Sequence, residues 1–140
     1  MYRRILIPTD GSREAARGVE HGLALAEEHG SDVHALFVVD EHVHGDTPAL
    51  GSFELAIEEI EEEGWRIVEG IGRQAEGRDL DAECHCVRGT PDRAIIDYAM
   101  RNDVDLIVMG KRGASGVEPP HIGSVTDRVL RLSRVPVLPV

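Results

Sequence analysis

The stretch GKRGASGVEPPHIGSV, residues 110 to 125, carries four glycines, two adjacent prolines and a closing Gly-Ser pair directly after the apolar run DLIVM. Gly110, Gly113 and Gly116 have no Cβ, so the chain can take left-handed turns there and bring N–H groups close to an anion. Gly123 and Ser124 then open a helix-like run, where unpaired N–H groups and the helix dipole favour phosphate oxygens and the Ser124 hydroxyl can donate as well. The spacing suits a phosphate cradle, though glycines alone suit a plain flexible loop equally well. The segment does not fit G-x-x-x-x-G-K-[ST], and no G-x-G-x-x-G follows the first strand, which removes two common nucleotide-binding fingerprints.

Asp10, closing the run RRILIPTD, is the second candidate. A carboxylate at the mouth of a parallel strand can accept hydrogen bonds from a ribose or an adenine edge, or from the backbone that follows it as a helix cap. Opposite a phosphate cradle, the sugar or base contact becomes the better reading. Cys84-His85-Cys86 offers metal-ligand types, but in a strand His85 points away from both cysteines and no fourth ligand is near. The cysteines are expected to be small apolar fillers. His42, His44 and Asp46 lie in a polar loop without a fixed scaffold, so a solvated loop is expected there and no metal site.

Composition bounds the partners. A chain of 140 residues fits one domain with a single sizeable core. Its formal net charge is −11, with 26 acidic residues against 15 basic ones, which argues against sequence-independent attraction to nucleic acid or an anionic membrane. Only Lys111 is a lysine, and abundant carboxylates with so little lysine are what a high-salt cytoplasm favours. No early apolar run is long enough for a signal peptide and none approaches a membrane span, so a cytoplasmic protein is expected.

The elements that must position these residues alternate along the chain. RRILIPTD reads as a first strand. Gly11-Ser12 opens a helix with Ala15, Val19, Leu23 and Ala26 at helical spacing, closed by Gly30. SDVHALFVVD is a second strand, continuous enough in apolar residues to be covered on both faces. Phe53, Ile57, Ile60, Trp65, Val68, Ile71 and Ala75 mark the inward stripe of a long helix with Ser52 as N-cap, weakened by Gly64, Gly70 and Gly72. The acidic run Glu58 to Glu63 belongs to its solvated side.

DAECHCVRG is a third strand, and Thr90-Pro91 caps and opens a helix reaching about Met100. VDLIVM is a fourth strand, Ser124 to Leu132 a last helix with Val125, Val129 and Leu132 inward, and VPVLPV a fifth strand. This alternation predicts right-handed crossovers and one doubly wound α/β domain, a five-stranded parallel sheet with helices on both faces. In a 3-2-1-4-5 order the first and fourth strands are neighbours, and the loops after them face one crevice at the switch point.

The pieces ILIPTDGS, ALFVVD and VRGTPDRAI, and above all G-x2-G-x9-G-S written as GKRG ASGVEPPHI GS, resemble the universal stress protein family along the whole chain, residues 1 to 140. The resemblance implies its ATP-binding branch, a nucleotide-binding domain of the 3-2-1-4-5 type. By position, Pro8, Thr9 and Asp10 would line the adenine and ribose side and Val38 would meet the base through its backbone. Met109, Gly110, Arg112, Gly113, Gly123, Ser124 and Val125 would surround ribose and phosphates, with Mg²⁺ accompanying ATP. Members commonly form homodimers through their terminal strands, here Val135 to Val140.

Similar proteins usually carry apolar or basic residues where this chain has Glu118-Pro119-Pro120-His121. Glu118 is the obvious group to position water for hydrolysis, but no matching cation pair accompanies it. An ATP-binding regulatory protein of the stress response therefore ranks ahead of an ATP hydrolase or nucleotidyl transferase, and ahead of a dimeric member that binds no nucleotide.

Overall fold

The computed structural model describes residues 1–41, 50–111 and 123–140 of the chain, without the side chains of 50–52. Nine elements follow one another: β1 (Arg4–Thr9), α1 (Arg13–His29), β2 (Asp32–Asp40), α2 (Leu50–Glu76), β3 (Ala82–Gly89), α3 (Pro91–Arg101), β4 (Leu106–Met109), α4 (Ser124–Leu132) and β5 (Val137–Pro139). The strands form one parallel sheet in the order β3-β2-β1-β4-β5, with Ile5 of β1 opposite Val33 of β2 on one side and Leu106 of β4 on the other. The single α/β domain read from the alternation is the one observed. Among the described residues no helix is long and apolar enough to cross a membrane.

The continuous apolar strands have the explanation that two covered faces require. Ile5 and Ile7 point to one side, where Val33, Ala35, Phe37 and Val39 pack with Val19 and Leu23 of α1 and Val68 and Ile71 of α2. Leu6 points to the other, with Leu36, Ile107 and Met109 beneath Ile95 and Ala99 of α3 and Val129 of α4. Neither face can be uncovered without exposing half of every central strand.

Local chemistry sets the helix ends. Ser12 caps α1 by accepting from the Ala15 N–H, and Gly30 ends it in the left-handed region at φ 67°. Thr90 stands at the N-cap position of α3 ahead of Pro91 but makes no side-chain cap bond. The helix α2 runs back to Leu50, so Ser52 is a helical residue and not the cap expected of it.

Trp65 also departs from expectation. It is 38% exposed, while the inward slot of that turn belongs to Gly64. A Cβ on Gly64 would lie 2.5 Å from Phe37 Cδ1 and 2.9 Å from Cys86 Sγ, and one on Gly72 2.8 Å from Cys84 Sγ. These glycines bring α2 close to β2 and β3, and Trp65, one residue on, is turned about 100° away. Leu132 likewise is 62% exposed, because α4 ends there beside the three-residue edge strand β5.

Candidate functional site

Parallel strands put all their carboxyl ends on one edge of the sheet. From there β1 leads into α1 on one face and β4 leads toward α4 on the other, so the switch point, where a doubly wound sheet has its ligand crevice, lies between these neighbouring strands. Pro8 and Thr9 are the buried last residues of β1. The Thr9 hydroxyl accepts from the Gly11 N–H at 3.1 Å, Asp10 Oδ1 from the Ser12 N–H at 2.9 Å, and Ser12 Oγ from the Ala15 N–H at 3.1 Å. Three successive side chains thus build the turn into α1, and Gly11 supplies its positive φ of 79°. Of the two roles open to Asp10, the backbone one is visible in these bonds, and its side chain stands at the exposed rim.

Across the crevice, Met109 is buried at the end of β4 and Gly110 follows it. Gly110 does not adopt a left-handed turn. A Cβ on it would meet the Glu14 carbonyl oxygen at 2.6 Å, so its missing side chain serves close packing against α1. Thr126, which no motif singled out, is buried and donates from Oγ1 to the Gly110 carbonyl at 2.8 Å, tying the first turn of α4 to the exit of β4. Its one sequence signal is a hydroxyl two residues past the Gly-Ser pair.

The two ends of the long motif meet. The Gly123 N–H donates to the Lys111 carbonyl at 2.6 Å, and the Lys111 N–H donates to the Val140 carbonyl at 2.9 Å. Gly123, the N-cap of α4, has no side chain with which to cap that helix, whose first residue, Ser124, is exposed. Val125 is half-buried against the α3/α4 core, as is Val38 near the end of β2, beside Val87 of β3. Arg112 and Gly113 lie outside the described residues, as do Gly116, Glu118, Pro119, Pro120 and His121.

Electrostatics on the α1 side of the loop root run against the net charge of the protein. Arg13 and Arg17, one turn apart, join Lys111, Glu14 and Val140 around a cavity of about 180 Å³. An i, i+4 arginine pair and the sole lysine were the available signals, and motif reading passed over them. At the far edge of the sheet Arg88 of β3 bonds both Glu54 and Glu61 of α2, which hold its pKa above the usual arginine value.

The cysteines behave as fillers. Cys84 Sγ donates to the Val68 carbonyl at 3.1 Å and Cys86 Sγ lies 3.6 Å from the Glu61 carbonyl, both facing α2, while His85 faces Tyr98 on the opposite side. Burial pushes both thiols up, Cys86 to about 11, which keeps them protonated and unreactive. No metal-binding group of three ligands occurs among the described residues, and His42, His44 and Asp46 lie outside them.

Comparison with known proteins bears on the whole chain. The profile of the Universal stress protein family matches residues 1–140. Universal stress protein MJ0531 of Methanocaldococcus jannaschii is 36% identical over 140 residues, covering 100% of this chain and 82% of the relative. The solved structure of MJ0577, from the same organism, superposes with a TM-score of 0.86 at 30% identity over 100% of this chain and 96% of that one. A universal stress protein crystallised in complex with cAMP shares the fold, with a TM-score of 0.75 at 23% identity over 99% and 97% of the two chains. Full-length sequence similarity and the shared architecture agree: the chain belongs to the universal stress protein family.

Proposed function

We propose that this protein is an ATP-binding regulatory member of its family, working in the cytoplasm as a homodimer. The observation that carries the reading is the junction of Gly110-Lys111 with Gly123-Ser124 at the switch point. There the N-cap of α4 is a glycine with no side chain to cap the helix, and Lys111, whose carbonyl holds the Gly123 N–H, borders the cavity that Arg13, Glu14 and Arg17 also line. Such a helix start is a ready site for phosphate oxygens. Ser124 and Val125 would offer N–H groups and Ser124 its hydroxyl, with Mg²⁺ meeting part of the phosphate charge. Pro8, Thr9, Asp10 and Val38 would border base and ribose, Met109 and Gly110 the floor between, and Arg112 and Gly113 the phosphate side. The structural relative bound to cAMP supports an adenine nucleotide as the ligand class. Free ATP implies the cytoplasm as the compartment.

The dimer would form along β5, an edge strand. Pro136 C=O and Val140 N–H bond to β4, so by strand alternation the backbone groups of Val137 and Pro139 face the open edge. Val137 would exchange both its bonds with Val137 of a second copy across a two-fold axis. That register leaves the donor missing at Pro139 as one absent bond per protomer.

Calorimetric titration with ATP, together with mass analysis of ligand released from the purified protein, tests the nucleotide reading. Ser124→Asp is the informative variant. A carboxylate in the first turn suits the helix dipole, so the fold is expected to hold, while repulsion from phosphate should weaken ATP binding roughly tenfold or more. Unchanged affinity in Ser124→Asp would remove α4 from the phosphate site.

A further inference from the structure

A second cluster of ionisable groups occupies the opposite, amino-terminal edge of the sheet. His34, the third residue of β2, is only 3% exposed, and its Nδ1 lies 2.6 Å from the Tyr98 hydroxyl of α3. Its Nε2 lies 3.4 Å from Glu83 Oε2 on β3, and His85 Nε2 lies 3.8 Å from the other oxygen of that carboxylate. The Tyr98 ring packs on both histidines, with centroids 5.7 Å from His34 and 5.3 Å from His85. Tyr98 is three residues from the end of α3, so this cluster fastens the far end of a helix whose first turn stands at the carboxyl edge.

The geometry suits a neutral ring. In the neutral tautomer whose one proton sits on Nε2 toward Glu83, Nδ1 is left to accept from the Tyr98 O–H. A second proton at Nδ1 would point at the Tyr98 hydroxyl, whose own hydrogen must then turn away to another acceptor in a half-buried site. The ring would also carry charge where water barely reaches, with compensation from a Glu83 side chain that is 64% exposed and so well screened. Arg4 of β1 and His85 of β3, which shares the Glu83 carboxylate, disfavour charge on the ring, while Asp32 of β2 favours it.

We propose that His34, Tyr98, Glu83 and His85 form a proton-sensing clasp, which holds α3 on β2 and β3 at neutral pH and releases it when His34 takes up a proton. Burial lowers the pKa of His34 below its ordinary 6.5, with Glu83 pulling the other way. The sign follows from that direction: the clasp contributes its full stability above about pH 6.5 and loses it as pH falls through the lower, folded-state pKa. Release extends beyond α3, because Ile95 and Ala99 of α3 and Val129 of α4 share one core. A loosened α3 thereby weakens the seat of Gly123 and Ser124. This last step rests on the nucleotide reading, whereas the clasp itself does not.

Hydrogen exchange on the full chain at a series of pH values tests the clasp, each amide corrected for its intrinsic rate and α1 and α2 serving as internal references. Protection in α3 is expected to fall roughly tenfold relative to α1 between about pH 7.5 and about pH 5, and to recover on return. His34→Gln, which keeps a polar partner for Tyr98 but cannot titrate, should show α3 protection that is flat in pH. Tyr98→Phe keeps the ring and should show the low-pH protection already at neutral pH. Protection in α3 that tracks α1 throughout, or a pH response retained in His34→Gln, overturns the clasp. Titrating ATP into the same samples reads the reach to α4 separately. Affinity unchanged while α3 loosens overturns that reach alone, and no ATP binding at any pH overturns the nucleotide reading and leaves the clasp to the exchange data.

Discussion

Gly18 of α1 and Gly110 at the exit of β4 meet backbone to backbone. A Cβ on Gly18 would sit 2.8 Å from the Gly110 nitrogen, and one on Gly110 would sit 2.6 Å from the Glu14 carbonyl oxygen. Two absent side chains thus let α1 lie directly against the root of the loop that carries the family motif. Gly110→Ala must push backbone against backbone, and overpacking of this kind costs about 1–3 kcal/mol. Urea denaturation is expected to register that loss, and ATP affinity should fall with it because Lys111 and Gly123 move with the root. A variant as stable as wild type would show that α1 is not seated as described.

The glycines of α2 separate two effects that composition merges. At Gly64 a Cβ would be 2.5 Å from Phe37 Cδ1, whereas at Gly70 the nearest atom is the guanidinium of Arg73 at 3.7 Å. Replacing an open helical glycine by alanine gains about 0.5–1 kcal/mol in propensity. Gly70→Ala should therefore raise the unfolding free energy by that amount, while Gly64→Ala should lower it by about 1 kcal/mol as crowding outweighs propensity. Equal shifts of the same sign in the two variants would contradict the close approach of α2 to β2.

The alternation of strands and helices, the doubly wound sheet and the span of α4 were legible because they depend on apolar runs, turn residues and crossover handedness, which are local or general, whereas the strand order 3-2-1-4-5 came from the family resemblance. The inward place of Gly64 was not, since a hydrophobic stripe gives no weight to a residue without a side chain, and Trp65 filled the gap in the pattern. Gly110 was assigned to loop freedom for a similar reason: its cause is the Glu14 carbonyl, almost a hundred positions away. Thr126 needs the Gly110 carbonyl and His34 needs Tyr98, so neither announces itself before the fold is known. Pro8, Thr9, Asp10, Gly123 and Ser124 could be located beforehand because strand ends and helix starts mark their own positions.

Charge makes a prediction about salt. With 26 acidic residues against 15 basic ones, self-repulsion favours the unfolded chain at low ionic strength. Raising KCl from about 0.1 M to about 1 M shortens the screening length from roughly 10 Å to 3 Å. The melting temperature should rise by several degrees. A fall would mean that ion pairs such as Arg88 with Glu54 and Glu61 outweigh the repulsion.

Val137 isolates dimerisation from folding. Its N–H and C=O face away from β4, since the neighbouring Pro136 C=O and Val140 N–H take the bonds to that strand. Val137→Pro removes the outward donor while leaving every hydrogen bond between β4 and β5 intact. Wild type is expected to be a dimer by light scattering and Val137→Pro a folded monomer, with a circular dichroism spectrum close to wild type. Because Pro139 has no N–H and the Val135 N–H is already bonded to Ser133 Oγ, a shifted pairing along this strand finds no ready outward donor to replace the lost bond. Leu138→Ala is the contrasting variant: its backbone serves β4, so the dimer should persist. A monomeric wild type at high micromolar concentration, or a Val137→Pro protein that still dimerises, would exclude β5 pairing centred on Val137.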